Sequence, residues 1–543
     1  MNLPRRADPP LRPTREGAAL IGLALLVAGL IGYPLVELLR VAFERGWGAF
    51  SDALGRPGTG TAVVHTLWSA AAATILSLVL GTAGALVTER SATRHRGWLR
   101  AGMLLPILIP PFVSALGWAE AYGPGGLVDD FLGGSLPGLF GAFGVVLVIT
   151  VNAMPLAYLV VAAGLASRAE PDLERAARAS GASPAAAFRT VTLPLLRPSL
   201  IAAGGLTFVV AVNSFGVPVL LGTPAGFETM TTRIYRGLAL SADPDAFLGV
   251  VALAAALVGI TFLVVAVSDA WTWLGGAAAR TGAPAGVSGK DRRSRLSAAV
   301  LLGYVTATSF LPLLALVLRA LTRAVGLAPV PGNWTLANFG EAVDGAGRAF
   351  LTSLGLAAAA AVGAVVLGGA VAAIARGRRR GWFGSVPVLT FAVPGSALAV
   401  AILLAYGGRL RDSLLLILIA YLAKFWALAH RPIAGSLANL PADAVRAARA
   451  SGAGPWTAVR TVVVPLLRPA VAAALLLVFL FSFHELTMSA LLYGPGSETL
   501  AVVILNLRQI GDVSVTAAMA VLLTAVVLGA GGLLVLARRR LPS

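Results

Sequence analysis

Long apolar stretches separated by short polar segments make up most of the chain. Each stretch holds about 20 or more mostly apolar residues, the length that a helix needs to cross about 30 Å of hydrocarbon. Their Ala, Leu and Val residues do not alternate with polar ones, so the pattern predicts helices and not the strands of a barrel. Twelve stretches meet this criterion, at residues 18–43, 61–88, 101–121, 140–165, 199–221, 246–273, 297–322, 350–375, 383–406, 412–435, 470–493 and 515–537.

Arginine and lysine residues concentrate in every second polar segment. Because basic residues favour the cytoplasmic side of membrane proteins, this asymmetry predicts twelve spans with both termini in the cytoplasm. A polar segment rich in Gly, Ala and Arg divides the spans into two six-helix halves. The predicted organisation is a cytoplasmic segment at 1–17, a first half at 18–273 (core about 61–273), a cytoplasmic linker at 274–296, a second half at 297–537 (core about 350–537) and a cytoplasmic tail at 538–543.

The composition agrees with a polytopic all-α membrane protein. Of the 543 residues, 57% are hydrophobic and only 12% are charged, and the mean hydropathy is +0.85. The net charge of +18 would suggest nucleic-acid binding in a soluble protein, but here the arginines lie between spans, where they set topology. The chain has no cysteine, which excludes disulfides and thiolate metal sites. The first apolar run is too long for a signal-peptide core, so it is expected to be retained as a helix.

One polar segment occurs twice, at the same place in each half. Residues 175–198 read RAARASGASPAAAFRTVTLPLLRP, and residues 446–469 read RAARASGAGPWTAVRTVVVPLLRP. Repetition of a whole unit indicates two homologous halves. Because an even number of spans separates the copies, the halves run in parallel and both loops face the same side of the membrane.

Each copy predicts a short amphipathic helix–turn–helix, at 173–190 and 444–461. Glycine supplies the turn, and proline suits the first position of the second short helix. Further prolines are expected to end that element before the next span. One alternative is that the element only anchors the chain at the membrane surface. The turn glycines are Gly181 and Gly452, the first-position prolines are Pro184 and Pro455, and the terminating prolines are Pro194, Pro198, Pro465 and Pro469.

The repeated loop resembles that of ABC-transporter permeases, whose pattern is E-A-A-x-x-x-G-x9-I-x-L-P. The family glutamate is replaced by Arg175 and Arg446, and Glu174 precedes the first of these. The resemblance implies a type I ABC importer permease fold. It also implies that each loop is a coupling helix, docked into a cleft of a separate cytoplasmic ATPase dimer. The matching residues are Ala176, Ala177, Gly181, Val191, Leu193 and Pro194 in the first copy, and Ala447, Ala448, Gly452, Val462, Val464 and Pro465 in the second, where Val464 replaces the leucine of the pattern.

The chain itself has no recognisable ATP site. Near Gly289 and Lys290, Pro284 stands at the place of the first glycine of a phosphate-binding loop, and Asp291 replaces its Ser or Thr. We therefore expect no catalytic residues, no cofactor bound by this chain, and ATP used by the partner subunit. A membrane-bound enzyme is disfavoured because four His and no Cys offer no nucleophile–base pair or metal-spaced histidines.

Four polar residues are candidates for the translocation path. Asn213 and Ser214 in the first half correspond to His484 and Glu485 in the second, and all four follow the repeated loop within the next predicted span. Polar groups inside a span are costly and usually face a cavity or one another. A pore lining is favoured over a structural hydrogen bond between helices. Lys424 also falls within a span and is expected to snorkel towards the membrane surface.

The segments after these residues resemble fused permeases for iron(III). They are 214–222 with 231–235, and 484–488 with 492–500. Thiamine, polyamine or another small solute remains an alternative cargo, and an ion-gradient-driven secondary transporter is an alternative class. Tight ferric binding is expected on a separate extracytoplasmic binding protein, and whether the permease binds metal stays open. Acids in the outer loops that could meet that protein are Asp129, Asp130, Asp243 and Asp245. The resemblance places the chain in the bacterial cytoplasmic (inner) membrane, in contact with lipid.

Overall fold

The computed structural model describes residues 15–90, 96–167, 171–241, 243–274, 292–375 and 380–540. Within these ranges the chain is built from helices, and the only β-type pairing is an isolated bridge between Thr322 and Trp334. The first half contains α1 (Arg15–Val27), α2 (Tyr33–Phe43), α3 (Gly46–Gly55), α4 (Thr59–Arg90), α5 (Arg96–Leu104), α6 (Pro111–Tyr122), α7 (Leu127–Leu132), α8 (Ala142–Ser167), α9 (Pro171–Ala179), α10 (Pro184–Ala187), α11 (Leu193–Val212), α12 (Met230–Ala239) and α13 (Pro244–Leu274).

The second half follows a similar order of elements from the first long span onward, without a counterpart of α7. Short π-helical turns join several helices without breaking them, at Ala28–Gly32, Phe188–Thr192, Thr306–Phe310 and Val459–Val463. The helices are α14 (Arg292–Val305), α15 (Leu311–Leu321), α16 (Ala337–Ala375), α17 (Arg380–Ala392), α18 (Gly395–Leu410), α19 (Leu414–Ala438), α20 (Ala442–Ala450), α21 (Pro455–Ala458), α22 (Val464–Phe483), α23 (Thr487–Leu492), α24 (Leu500–Ile510) and α25 (Val513–Arg540).

The chain is a multi-pass membrane protein, and the predicted all-α class is confirmed. Ten helices in the described ranges are long and apolar enough to cross a membrane, and two bent pairs bring the number to twelve. Each of the twelve predicted spans coincides with one of these helices or pairs. Two were wrong as straight spans: 101–121 is bent by 102° between Arg96–Ile107 and Pro111–Leu132, and 383–406 is bent by 97° between Val386–Ala392 and Gly395–Leu410.

The domain limits lie partly outside the described residues. Most of the predicted linker, 275–291, falls there, as do 1–14 and 541–543 at the two ends. Helix α25 runs to Arg540, so the described part of the predicted tail is helical.

Within each half, a pair of long helices packs closely because glycine allows their backbones to approach. In the first half α4 packs on α8, and a Cβ added at Gly81 would lie 2.8 Å from the backbone nitrogen of Tyr158. In the second half α16 packs on α19, and a Cβ at Gly368 would lie 2.8 Å from the backbone nitrogen of His430. Each glycine is the last residue of a Val-Leu-Gly tripeptide, so the two halves share this short sequence at the contact.

The first span of each half packs against the other half. Helix α2 contacts α18, and α15 contacts α6. Both spans contain a π-helical turn followed by a proline, Pro34 or Pro312, which has no N–H to donate to the preceding turn. The carbonyl groups left without an intrahelical partner therefore need donors from elsewhere, since lipid supplies none.

Aromatic side chains of the opposite half provide these donors. The hydroxyl of Tyr406 on α18 donates to the carbonyl oxygen of Gly29 at 2.6 Å. On α6, Trp118 Nε1 donates to the carbonyl oxygen of Thr308 at 3.2 Å, and the Tyr122 hydroxyl donates to that of Ala307 at 2.6 Å. The same device thus fixes each first span to the bent span of the partner half.

Candidate functional site

Four breaks in the helices determine the geometry between the two halves. Helix α11 ends at Val212 and α22 at Phe483, so the predicted spans 199–221 and 470–493 were wrong in their C-terminal parts. The other two breaks are the bends that precede α6 and α18. There, Pro110 (φ −54°, ψ 136°) and Pro394 (φ −58°, ψ 135°) adopt the same extended conformation immediately before the helix begins. Equivalent breaks in both halves therefore interrupt the apolar helices and leave backbone polar groups between them.

A cavity of about 230 Å³ lies between the halves at these breaks. All four residues predicted for the translocation path, Asn213, Ser214, His484 and Glu485, line it. The structure brings three further polar residues to the same cavity, Asn152 from α8, Lys424 from α19 and Thr487 from α23. Apolar neighbours complete the wall, among them Phe112, Val209, Phe215, Phe391, Phe425, Phe481 and Met488.

Glu485 is held at the beginning of the short helix α23. Its carboxylate accepts hydrogen bonds from the backbone N–H of Met488 at 2.9 and 3.0 Å and of Ser489 at 3.1 Å. The Ser489 hydroxyl also lies within 3.3 Å of a carboxylate oxygen. The carboxylate thus accepts from N–H groups that have no partner within the helix. The carboxylate therefore organises the break as well as lining the cavity.

Lys424 does not snorkel, and that expectation was wrong. Its ammonium group donates to the carbonyl oxygen of Phe391 at 3.0 Å and to that of Val393. Both carbonyls lie at the bend between α17 and α18, where the helical hydrogen-bond pattern stops. A membrane-depth cation is stabilised here by backbone carbonyls that need a donor, and so it has no reason to reach the membrane surface.

Three side chains at the cavity retain buried polar atoms without a hydrogen-bond partner in the described part of the chain. They are both amide atoms of Asn152, Oδ1 of Asn213 and Nδ1 of His484. The Ser214 backbone behaves differently, because its carbonyl oxygen accepts a 2.7 Å hydrogen bond from the Thr231 hydroxyl. Unpaired buried polar atoms are costly, so each of these atoms needs a hydrogen-bond partner that the described residues do not supply.

A buried ion-pair network away from the cavity was not predicted. Glu120 on α6 accepts a 2.9 Å hydrogen bond from Nε of Arg319 on α15, and Arg508 on α24 lies 3.5 Å from the other carboxylate oxygen. Arg319 also donates to the carbonyl oxygen of Gly125 at 2.7 Å. Both Glu120 and Arg319 fall inside predicted spans, so their charge inside an apolar stretch was a signal that the sequence analysis did not use.

The repeated loops have the same conformation in both halves. Helices α9 and α20 end in turns where Gly181 (φ +91°) and Gly452 (φ +83°) adopt the left-handed conformation that favours glycine. The Ser183 hydroxyl accepts the N–H of Ala186, and Pro184 opens the second helix as predicted.

The expected stop after that second helix was wrong in both copies. The helix continues through Pro194 and Pro198 without a break as far as Val212, and in the second half through Pro465 and Pro469. Pro194 and Pro465 lie in the first turn of α11 and α22, directly after π-helical turns that adjust the backbone hydrogen bonds. A proline in the first turn removes few intrahelical hydrogen bonds, so the helix is not interrupted.

The surfaces of the loops differ in their acidic residues. Arg175 and Arg446, at the place of the family glutamate, form exposed ion pairs with Asp172 and Asp443. Glu174 instead turns back and accepts a 3.2 Å hydrogen bond from the Thr192 hydroxyl. Ala176 and Ala447 are exposed, as are four arginines with no ion pair to another described residue, namely Arg178, Arg189, Arg449 and Arg460.

The candidate acids of the outer loops do not form one cluster. Asp129 accepts the N–H of Gly125 at 2.8 Å near the beginning of α7, and Asp130 is exposed. Asp243 is not a free acid, because it already interacts with another residue. The side chain of Asp245 lies outside the described part. Among the described residues, no group of three His, Asp or Glu side chains could hold a metal ion.

Comparison with known proteins identifies the architecture. The model of the family "Binding-protein-dependent transport system inner membrane component" matches residues 77–272 and 364–541. A probable ABC transporter permease of Sinorhizobium fredii is 27% identical over 90% of this chain and 90% of its own length. An Fe(3+)-transport system permease of Haemophilus influenzae is 26% identical over 91% of this chain and 93% of its own.

One half of the chain also has relatives that are single permease units. A molybdenum transport system permease of Mycobacterium tuberculosis is 33% identical over 44% of this chain and 89% of its own length. The family model occurs twice in the chain, once in each half. The chain therefore belongs to the binding-protein-dependent transport system inner membrane component family and is an ABC importer permease in which two transmembrane units are fused.

Proposed function

We propose that this permease imports iron(III), driven by a separate pair of ATPases that dock at the two repeated loops and fed by an extracytoplasmic binding protein. The ferric assignment is supported by the Haemophilus influenzae permease, which aligns along almost the whole of both chains. The termini and both loops would then face the cytoplasm.

One observation carries the coupling proposal: an unbroken helix joins each loop to the cavity. The helix that opens at Pro184 ends at Val212, directly before Asn213. The equivalent helix from Pro455 ends at Phe483, directly before His484. At 1.5 Å per residue such a helix is about 43 Å long. Movement of a docked loop therefore moves this helix as one rigid element and so displaces the cavity wall. The same connection exists in each half.

The loops have the properties of a protein docking surface. Their exposed alanines permit close approach of another surface, and the exposed arginines offer charges for acidic groups of a partner. Arg175 and Arg446 in place of the family glutamate reverse the usual charge, so the ATPase contact at those positions differs from that of relatives with glutamate.

The coupling test uses the two turn glycines. Gly181→Val with Gly452→Val places a β-branched residue at a positive φ, a conformation that costs L-residues about 1–2 kcal/mol each. We expect the ATPase to be lost on purification and ATP-driven uptake to fall at least tenfold. Gly326→Val is the matched control, because Gly326 also has a positive φ (+87°), is exposed and has no atom within 4 Å of an added Cβ, but lies outside both loops. Normal uptake in the double variant would contradict the docking role.

Orientation can be tested without background labelling, since the chain has no cysteine. Ser180→Cys and Ser451→Cys are both in exposed turns. They should react with a membrane-impermeant maleimide only when the reagent has access to the cytoplasmic side of the membrane. Asp130→Cys should react from the opposite face. Labelling of either serine position from outside would refute the proposed topology.

The class and the cargo are tested by uptake into proteoliposomes that contain the permease, its ATPase and its loaded binding protein. We expect labelled iron to accumulate only with internal ATP, and labelled thiamine not to accumulate. Uptake that an ion gradient drives without the ATPase would favour a secondary transporter instead.

A further inference from the structure

Three ionisable side chains line the central cavity, and two of them, Glu485 and Lys424, are already engaged. The carboxylate of Glu485 accepts hydrogen bonds from two backbone N–H groups at the beginning of α23 and lies beside the Ser489 hydroxyl. The ammonium of Lys424 donates to two carbonyl oxygens at the α17–α18 bend. An ammonium has three N–H groups, so one remains for a solute in the cavity.

The groups left for a solute are neutral. Asn152 offers an amide donor and an amide oxygen, Asn213 offers an amide oxygen, and His484 offers one ring nitrogen. None of them brings a negative charge, and no free carboxylate lies among the lining residues. The cavity thus presents one cation, one committed carboxylate and several neutral polar atoms.

Such a cavity is unsuited to an uncomplexed trivalent cation. Hard cations bind several anionic oxygen ligands, and this cavity offers a single carboxylate, which already accepts hydrogen bonds from two backbone N–H groups. The positive charge of Lys424 offsets the negative charge of Glu485, so the lining has no net negative charge to balance a trivalent ion. A complex in which oxygen ligands neutralise the charge of the metal suits this cavity, because Lys424 and the amide of Asn152 can donate hydrogen bonds to those oxygens.

We propose that the cargo passes this cavity without net positive charge, and that iron(III) enters together with an oxygen-donor anion that complexes it. This inference rests on the proposed path through the cavity, and it deepens the ferric assignment. The volume of about 230 Å³ corresponds to roughly eight water molecules of about 30 Å³ each, which is room for a metal ion with a small oxyanion or carboxylate ligand.

The test measures what accompanies iron. Proteoliposomes with the complete transporter receive radioactive iron complexed with carbon-labelled citrate in one arm and with phosphorus-labelled phosphate in the other. We expect one of the two anion labels to enter in a constant ratio to iron, and the membrane potential to show no inward positive charge. Entry of iron with neither label and with three positive charges per ion would overturn the proposal.

The same liposomes separate this inference from the ferric assignment. If iron does not enter but molybdate does, the ferric assignment fails and the charge rule stands, because molybdate is an oxyanion. If the thiamine cation enters, the charge rule fails.

An isosteric variant predicts opposite results for the two kinds of cargo. Asn152→Asp adds a negative charge to the cavity at nearly constant size, so we expect uptake of an anionic complex to fall at least tenfold. Increased iron uptake would instead indicate a free cation and refute the inference. Asn439→Asp, at an exposed position outside the cavity, is the control for the substitution itself.

Discussion

The buried ion pair between Glu120 and Arg319 offers the sharpest test of how the two halves are held together. The carboxylate and the guanidinium side chains are only 9% and 8% exposed, and their N–O distance is 2.9 Å. Glu120→Leu removes the one carboxylate that pairs with Arg319 in the described part of the chain and leaves a buried cation with the Gly125 carbonyl. Removing one partner of a buried pair costs about 3–5 kcal/mol, and we expect a loss of that size in the free energy of unfolding.

Removing the arginine instead of the glutamate should reduce the free energy of unfolding by less. After Arg319→Met, Glu120 keeps Arg508, whose side chain is 23% exposed and lies 3.5 Å from the carboxylate. The double variant, Glu120→Leu with Arg319→Met, replaces both charges by apolar groups and should be more stable than Glu120→Leu alone, because such replacements are often neutral.

The free energy of unfolding of the purified full-length permease would be measured in mixed micelles by titration with a denaturing detergent, for the four members of the cycle. Costs that simply add in the double variant would refute the assigned coupling between the two residues. An equal or larger cost for Arg319→Met would refute the compensating role of Arg508.

Two further predictions concern helix packing. Gly81→Ala should destabilise the protein by about 1–3 kcal/mol, because the new methyl group meets Ala157 and the backbone of Tyr158 at 2.8 Å. Gly259→Ala, at an exposed helical position with open space, should stabilise it by up to about 1 kcal/mol, and equal effects of the two would contradict the close approach of α4 and α8. Tyr406→Phe leaves the Gly29 carbonyl without its donor and should cost about 0.6–1.7 kcal/mol in the same detergent titration, whereas no change would show that the bond is not needed.

The loop turns were predictable because their causes are local. A glycine between two short helices, followed by Ser-Pro or Gly-Pro, specifies a left-handed turn and a helix start irrespective of distant residues. The stop at Pro194 was predicted wrongly for a related reason. Whether a proline ends a helix depends on the backbone adjustment available around it, and the π-helical turn Phe188–Thr192 supplies that adjustment here.

The cavity was only half predictable. Shared position in the repeat identified Asn213, Ser214, His484 and Glu485, and all four line the cavity. Asn152 and Lys424 come from helices that precede the loops, and nothing in their own segments indicates what they face. Lys424 became a cavity residue because the bend at Val393 and Pro394 exposes carbonyls that need a donor at membrane depth.

The sequence by itself determined the number of membrane-crossing segments, the duplication of the chain and the conformation of the loop turns. Each of these follows from properties summed over neighbouring residues, such as hydropathy over a span or a glycine in a turn. The tertiary structure decided where helices bend and which span of one half is held by hydrogen bonds from the other half. Those outcomes depend on hydrogen-bond partners far apart in the chain, as when Tyr406 satisfies Gly29 or Arg319 meets Glu120, and in a medium without water each such group must find its partner by packing.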